Sequence, residues 1–420
     1  MIKKVEELVT YKRFDVMFKY LYIKHREMGI NSGYFEELYK HHLKIWNNFK
    51  EHNNTNKQTY ENFKEHFHII SDSIKDGGFD QNKSTVPVIG NNILNGAHRV
   101  ASCLLHNKDV ICNEGVDGVD GQKDCSYYYL KTLNKNGVLS DDYCDRCAME
   151  YVKFKKNTFL ITLFPSATIR GNIEKVRGLI KNSGNLVYEK EINLNRQGSL
   201  NLMKELYYKE KWAEDNNRLG YTTKRNLCYP SNEHPTFIFL VEFNSNNIAI
   251  KVKDEIRNIY NIGKHSVHIN DHHHETLRLT KCLFNNNSIN FMNNYNGKEY
   301  PLYENLLLKF RDWISENNLD SDNYCITAGS VLSTYGLKEC KDIDYLHYGD
   351  NTYPNDDLIQ SHNVYGVGKY HIERDEIIFN PEYHFYHFGV KFSTIDIVRK
   401  LKEKRGEEKD FRDIELIKNL

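Results

Sequence analysis

The stretch TVPVIGNNILNGAHRVASCLLHNKDVICN, residues 85–113, decides how the rest of the chain is read. Thr85–Ile89 reads as a strand, followed by a tight turn and a second short strand ending at Leu94. Gly96 then stands where the backbone turns sharply into a helix, AHRVASCLL, and DVICN returns as a strand. The first turn of a helix presents unpaired N–H groups and a partial positive charge, which together make an anion site. Arg99 adds a fork of donors suited to phosphate, and His98 can give or take a proton. The plainer reading of the same residues is an ordinary strand–helix corner carrying a surface arginine.

Upstream, Phe14, Met17, Phe18 and Leu21 fall on a 3/4 spacing, as do Phe35, Leu38, Tyr39, Leu43 and Trp46. Residues 1–80 therefore read as helices, with a polar break at Asn53–Gln58. Downstream, Gly115–Lys123 (GVDGVDGQK) reads as a surface loop, because its Asp-Gly steps lack the bidentate Glu of a calcium loop. A second region of strands and helices opens with FLITLFP after Thr158 and ends near Tyr295. A third runs from Pro301 to the end. The expectation is a multidomain α+β chain divided as 1–155, 156–298 and 299–420, a size that suits about three domains of ~150 residues.

Lys+Arg and Asp+Glu number 57 each, which argues against a protein whose main task is to coat nucleic acid. With 29 Tyr and 21 Phe a sizeable core is possible despite the many charges. No apolar run reaches the ~18 residues of a membrane span. The charged N-terminus does not read as a signal peptide, and nine scattered cysteines suit reduced thiols, so a cytoplasmic location is expected. Cys144 and Cys147 form the one close pair, without the partners of a zinc site.

Two further constellations carry chemistry. In the second region a strand ends at Phe164-Pro165-Ser166-Ala167-Thr168-Ile169-Arg170-Gly171, and His268 precedes a helix expected to be capped by Asn270-Asp271. The run His272–His274 does not have the i, i+4 spacing of a chelating pair. In the third region a strand (NYCITA) leads to Gly329-Ser330, a short helix and a second strand, KDIDYLHY. Residues two apart on a strand share a face, so Asp342 and Asp344 present adjacent carboxylates, which a Mg²⁺ ion relieves of their repulsion. Gly329 permits close approach to a phosphate and Ser330 offers it a donor. A surface strand with acids that cap turns is the plainer alternative.

Three family resemblances rest on these residues. The 85–113 stretch resembles the ParB/sulfiredoxin superfamily, whose (D/N)-G-x-H-R segment holds nucleotide phosphates. It implies a nucleotide site at Gly96, His98 and Arg99, with His98 in a catalytic role. Ala97 occupies the place of the sulfiredoxin cysteine, so sulfinic-acid reduction is not implied. The middle region resembles nucleoside diphosphate kinases, which implies a ferredoxin-like domain with His268 at the phosphohistidine position. Phe164 replaces that family's phosphate-gripping lysine and Ser166 its acid, so the kinase activity is expected to be lost. Gly-Ser followed after eleven residues by Asp342-Ile343-Asp344 resembles polymerase-β-type nucleotidyltransferases. That implies Mg²⁺ on Asp342 and Asp344, phosphates at Gly329 and Ser330, and a third carboxylate on a later strand, Asp375 or Glu376. The charged tail from Lys402 to Asp410 resembles the terminal helix of small members of that family, or reads simply as a solvated helix.

The chain as a whole resembles bacterial proteins of surface-polysaccharide assembly. The expected function is Mg²⁺-dependent phosphoryl or nucleotidyl transfer from ATP or CTP to a small polar acceptor, a sugar or amino alcohol. The alternatives are a small-molecule kinase centred on the ParB-like region and a non-catalytic nucleotide-responsive scaffold. No nucleic-acid partner is expected.

Overall fold

Asp15–Glu27 (α1), Gly33–Asn47 (α2) and Tyr60–Gly77 (α3) are helices in the computed structural model, as the 3/4 spacing predicts. Ser32 Oγ accepts from the Tyr34 amide ahead of α2, and Thr59 Oγ1 from the Asn62 amide ahead of α3. Asn48, with φ of 49°, ends α2 in a left-handed cap. The apolar stripes face inward: Met17, Phe18, Leu21, Phe35, Leu38, Tyr39 and Leu43 are all buried. The structure describes every residue except 31, 52–54, 116–123, 209 and 355, and for 214–218, 366 and 367 it gives no side-chain placement. The loop expected at 115–123 thus lies almost wholly outside the described residues.

The deciding stretch folds as strand, turn, strand, helix, strand. After β1 (Ile2–Lys3) come β2 (Val86–Ile89), β3 (Asn92–Ile93), helix α4 (Ala97–Leu105) and β4 (Val110–Glu114). They form a sheet of order β1-β4-β2-β3. β2 runs parallel to β4, with Val86 opposite Cys112, and antiparallel to β3, with Val88 opposite Ile93. α4 is the crossover that makes the parallel pair possible, and α1 and α3 pack against it.

At the head of α1 lies a buried ion cluster. Arg13 donates to both oxygens of Asp15, at 2.8 and 2.9 Å, and its other terminal nitrogen donates to the Ile93 carbonyl. Lys19 approaches the same carboxylate at 2.8 Å. Burial works to raise the Asp15 carboxyl, but the two cations more than offset it and hold it well below its ordinary value.

Packing groups the chain into two compact units, Met1–Phe159 with Arg177–Glu189 and Phe239–Ile248, and Leu160–Val176 with Lys190–Ile238 and Ala249–Leu420. A second sheet has the order β6-β7-β5-β8, from β5 (Thr158–Leu163), β6 (Asn185–Ile192), β7 (Thr236–Glu242) and β8 (Val267–Ile269). β5 and β8 are antiparallel, with Ile161 opposite Ile269. The third sheet has the order β11-β10-β9-β13-β12, from β9 (Tyr324–Thr327), β10 (Ile343–His347), β11 (Ile359–Ser361), β12 (His384–His387) and β13 (Val390–Ser393). The architecture is mixed α+β with several small sheets. Among the described residues no helix is long and apolar enough to cross a membrane.

Three local expectations are corrected. The helix after His268 starts at His273, with His272 as N-cap and Glu275 closing a capping box. Asn270 is buried instead, accepting from the Leu160 amide at 2.7 Å and donating to Thr276 Oγ1 at 2.8 Å. Asp375 and Glu376 open the helix Arg374–Phe379, where a strand was expected; acids in a first turn suit the helix dipole. The charged tail is two helices, Ile395–Arg405 and Glu408–Lys418, turned at Gly406, whose φ is 66°. It is not simply solvated, because Lys402, Asp410 and Asp413 are buried.

In that tail burial works to raise the Asp410 carboxyl, yet Arg405, the Glu407 amide and Lys402 hold it down at about 2. A carboxyl depressed in the folded state contributes stability above its unfolded value, about 3.9, and loses it as pH falls toward the folded value. Acid unfolding followed by circular dichroism should therefore show a loss of stability between pH 4 and 2 that is visibly flatter in Asp410→Asn.

Candidate functional site

Gly96 occupies the N-cap of α4 with φ of 94°, a conformation that favours glycine, and no side chain caps the helix. The Asn95 side chain turns back to the Gly96 amide at 2.7 Å, leaving the first-turn N–H groups without a side-chain acceptor. Arg99 folds over this glycine. A Cβ at position 96 would lie 2.8 Å from its Nη2 and 3.1 Å from its Nε. Its Nη1 donates to Ser84 Oγ at 2.6 Å and to the Thr85 carbonyl at 2.9 Å, tying α4 to the approach to β2. Among the described residues Nε and Nη2 donate to nothing, so one edge of the guanidinium stays available beside an uncapped helix end.

Gly96 and Arg99 line a cavity of about 450 Å³. Among the described residues Arg99 is the cation of its lining without a carboxylate partner, since Lys57 lies 3.0 Å from Glu51 and Lys83 4.0 Å from Asp80, while Ile70, Ile74 and Phe79 give it an apolar wall. A second cavity, of about 350 Å³, is lined by Arg13, Asp15, Lys19 and Lys50. Glu51, Asn95 and His98 line both. Glu51 also pairs with Lys57 at 3.0 Å.

His98 hydrogen-bonds through Nε2 to the Tyr39 hydroxyl at 2.9 Å and meets the Phe67 ring edge-on at 4.6 Å. Burial, helped by Lys19 and Lys57, pushes its imidazole well below the ordinary histidine range, so it is neutral at pH 7. It is thus held in place as a neutral ring and is a weak proton acceptor; Glu51 is the carboxylate at the junction. Glu51, Lys57 and Lys83 were missed in the sequence. Glu51 and Lys57 sit in the α2–α3 connection and Lys83 in the approach to β2, and no motif marks them.

The third-sheet constellation is arranged differently. Gly329 and Ser330 begin the helix Gly329–Thr334 directly after Ala328, whose φ is 56°. Ser330 Oγ donates to the Asp342 carbonyl at 3.3 Å and accepts from the Asp344 amide at 3.2 Å, so it latches β10 and is not turned toward a phosphate. Asp342 precedes β10 and accepts from Cys340 Sγ at 2.9 Å. Asp344 lies 2.9 Å from His362 Nε2, and His362 Nδ1 meets the Tyr370 hydroxyl at 2.7 Å.

The register places Gln360, Thr327 and, through β13, Ser393 and His384 in one row with Asp344. No carboxylate follows in that row. Asp375 lies on its helix, held by Arg374 at 2.8 and 2.9 Å. Among the described residues no three or more His, Cys, Asp or Glu side chains are grouped to hold a metal. A Mg²⁺ pair held by three carboxylates therefore does not fit the side chains as they stand.

In the middle region His268 meets Tyr207 edge-on at 4.9 Å, and its Nε2 is buried without a partner among the described residues. Burial and the neighbouring cations Lys253, Lys224, Arg278 and Arg257 push it down to about 3. Phe164, at the expected lysine position, is buried.

The Gly96–Arg99 packing yields a quantitative expectation. Gly96→Ala adds a left-handed non-glycine residue, about 1–2 kcal/mol, and displaces the guanidinium from Ser84 and Thr85. In urea denaturation the substitution should cost more in the Arg99 protein than in an Arg99→Ala background. Equal costs in both would show that the two residues do not press on each other.

No family model matches this chain, and no curated protein or solved structure matches it.

Proposed function

We propose that this chain is an ATP- or CTP-dependent phosphotransferase that works at the N-terminus of α4 on a small polar acceptor. The observation that carries the reading is the guanidinium of Arg99 beside the uncapped start of α4, in the lining of a cavity that also has an apolar wall. Phosphates suit the Arg99 end, where N–H groups and a guanidinium meet, and a base suits Ile70, Ile74 and Phe79. The size of the cavity is within the range of small-molecule sites. Mg²⁺ arrives with the nucleotide triphosphate as part of the substrate.

In the transfer, the acceptor oxygen forms a bond to the γ-phosphorus while the bond to the bridging oxygen breaks and the nucleoside diphosphate leaves. Glu51, at the junction of the two cavities, takes the acceptor proton. His98 is the neutral ring that positions the junction through Tyr39. The resemblance of residues 85–113 to the ParB/sulfiredoxin superfamily supports this placement. The β6-β7-β5-β8 order, the second, third, first and fourth strands of its region, supports a ferredoxin-like middle region.

Arg99→Ala should weaken nucleotide binding by about 1.5–3 kcal/mol, the worth of charge-assisted hydrogen bonds, read by titration calorimetry with ATP and CTP. Unchanged affinity for both would remove the site. Glu51→Gln should lower turnover about 10²-fold or more while nucleotide affinity stays close to that of the parent.

A second reading, nucleotidyl transfer at Asp342 and Asp344, keeps one favourable observation: both carboxylates flank buried Ile343 at the start of β10, next to the strained Ala328. The product separates the two. Diphosphate nucleotide and a phosphorylated acceptor belong to α4; pyrophosphate release that falls ~10²-fold in Asp342→Asn belongs to β10.

A further inference from the structure

We propose that the second cavity, floored by Arg13, Asp15 and Lys19, is the acceptor subsite and takes a small molecule that carries an anionic group as well as a hydroxyl. This rests on reading the neighbouring cavity as the donor site. The two cavities share Glu51, Asn95 and His98, so an acceptor in the second lies beside the phosphate end of a nucleotide in the first.

The floor sets the charge of the occupant. Arg13, Asp15 and Lys19 are only 3, 3 and 4% exposed, and two cations there face one carboxylate. Both Asp15 oxygens are already engaged, by Arg13 and Lys19. The Lys19 ammonium bonds to Asp15 alone, through its carboxylate at 2.8 Å and its carbonyl at 3.4 Å. Two buried cations thus share one carboxylate, burial pulls the Lys19 ammonium below its ordinary value, and Glu51, the other carboxylate lining the cavity, is paired with Lys57. That is costly in isolation, and an incoming anion relieves it.

The neighbouring histidine adds no charge of its own. His42 is buried, has no hydrogen-bond partner on either ring nitrogen among the described residues, and is neutral because burial and Lys19 push it far down. Lys50, exposed at the rim, adds a further cation. An uncharged sugar leaves the excess charge unanswered. The volume of about 350 Å³ suits a hydroxy acid or a phosphorylated polyol. The shared chemistry is one anionic end on the Arg13–Lys19 floor and one hydroxyl toward Glu51.

Three probes on one carbon skeleton test this: glycerol, glycerate and glycerol 3-phosphate. Each is titrated into the full chain by saturation-transfer NMR in the presence of Mg²⁺ and a non-hydrolysable ATP analogue. At least one charged probe should bind tenfold or more tightly than glycerol, and which one does so separates a carboxylate from a phosphate. Lys50→Glu should weaken the charged probes tenfold or more, with circular dichroism and the melting temperature reporting that the variant is folded. Lys19→Met should abolish the preference for charge; if it fails to fold, Lys50→Glu decides alone.

Equal binding of all three probes, binding of none, or indifference of the charged probes to Lys50→Glu overturns the proposal. If a charged probe binds while the ATP analogue does not, the donor reading fails and the anion subsite stands.

Discussion

With Arg13 on both of its oxygens and Lys19 sharing one of them, the buried carboxylate of Asp15 fixes the entry to α1. Arg13 carries the constraint onward to the Ile93 carbonyl at the end of β3, two residues before Asn95. The position of the Asn95–Arg99 corner is therefore set from outside as well as by its own sequence. Removing Asp15 would strand both cations in a dry interior, and breaking a buried pair in this way typically costs about 3–5 kcal/mol, about half of a domain's whole stability. The same ions that hold α1 against β3 also form the floor of a cavity, so structure and site share them.

What the sequence made legible was local. Helical spacing in α1 and α2, and the strand–Gly–helix–strand order of 85–113, follow from short-range rules that tertiary packing did not override. The apolar stripes were legible for the same reason: Phe35, Leu38, Tyr39 and Leu43 repeat at the helical period and all four are buried. The misread boundary after His268 has a specific cause. Asn270 is a good cap by type, but its side chain is drawn inward to the Leu160 amide, 110 residues away in the chain. Glu51 was illegible because its value lies in sitting between two cavities, and those cavities exist only when α3 and α4 meet. The excess charge at Lys19 was equally hidden, since burial is not written in residue type.

The two phosphate-like motifs show how little residue types reveal about availability. Around β10 the polar groups answer one another: Ser330 bridges two backbone groups, Cys340 meets Asp342, and His362 meets Asp344. A ligand there has to displace bonds already made, and each displaced group needs a replacement of equal quality. At α4 the reverse holds, because the Arg99 guanidinium is fixed by one nitrogen and the helix start lacks a cap. Preorganised donors that face space cost nothing to rearrange when an anion arrives.

An unanswered helix terminus also makes the melting temperature of this chain a function of what surrounds it. An anion that completed the start of α4 would bind only the folded form, since the converging N–H groups do not exist in the unfolded chain. By mass action such a ligand adds about 2.7 kcal/mol at a hundred times its dissociation constant. A ligand at this single glycine-led turn would thus link the stability of the first unit to the concentration of a small molecule around it.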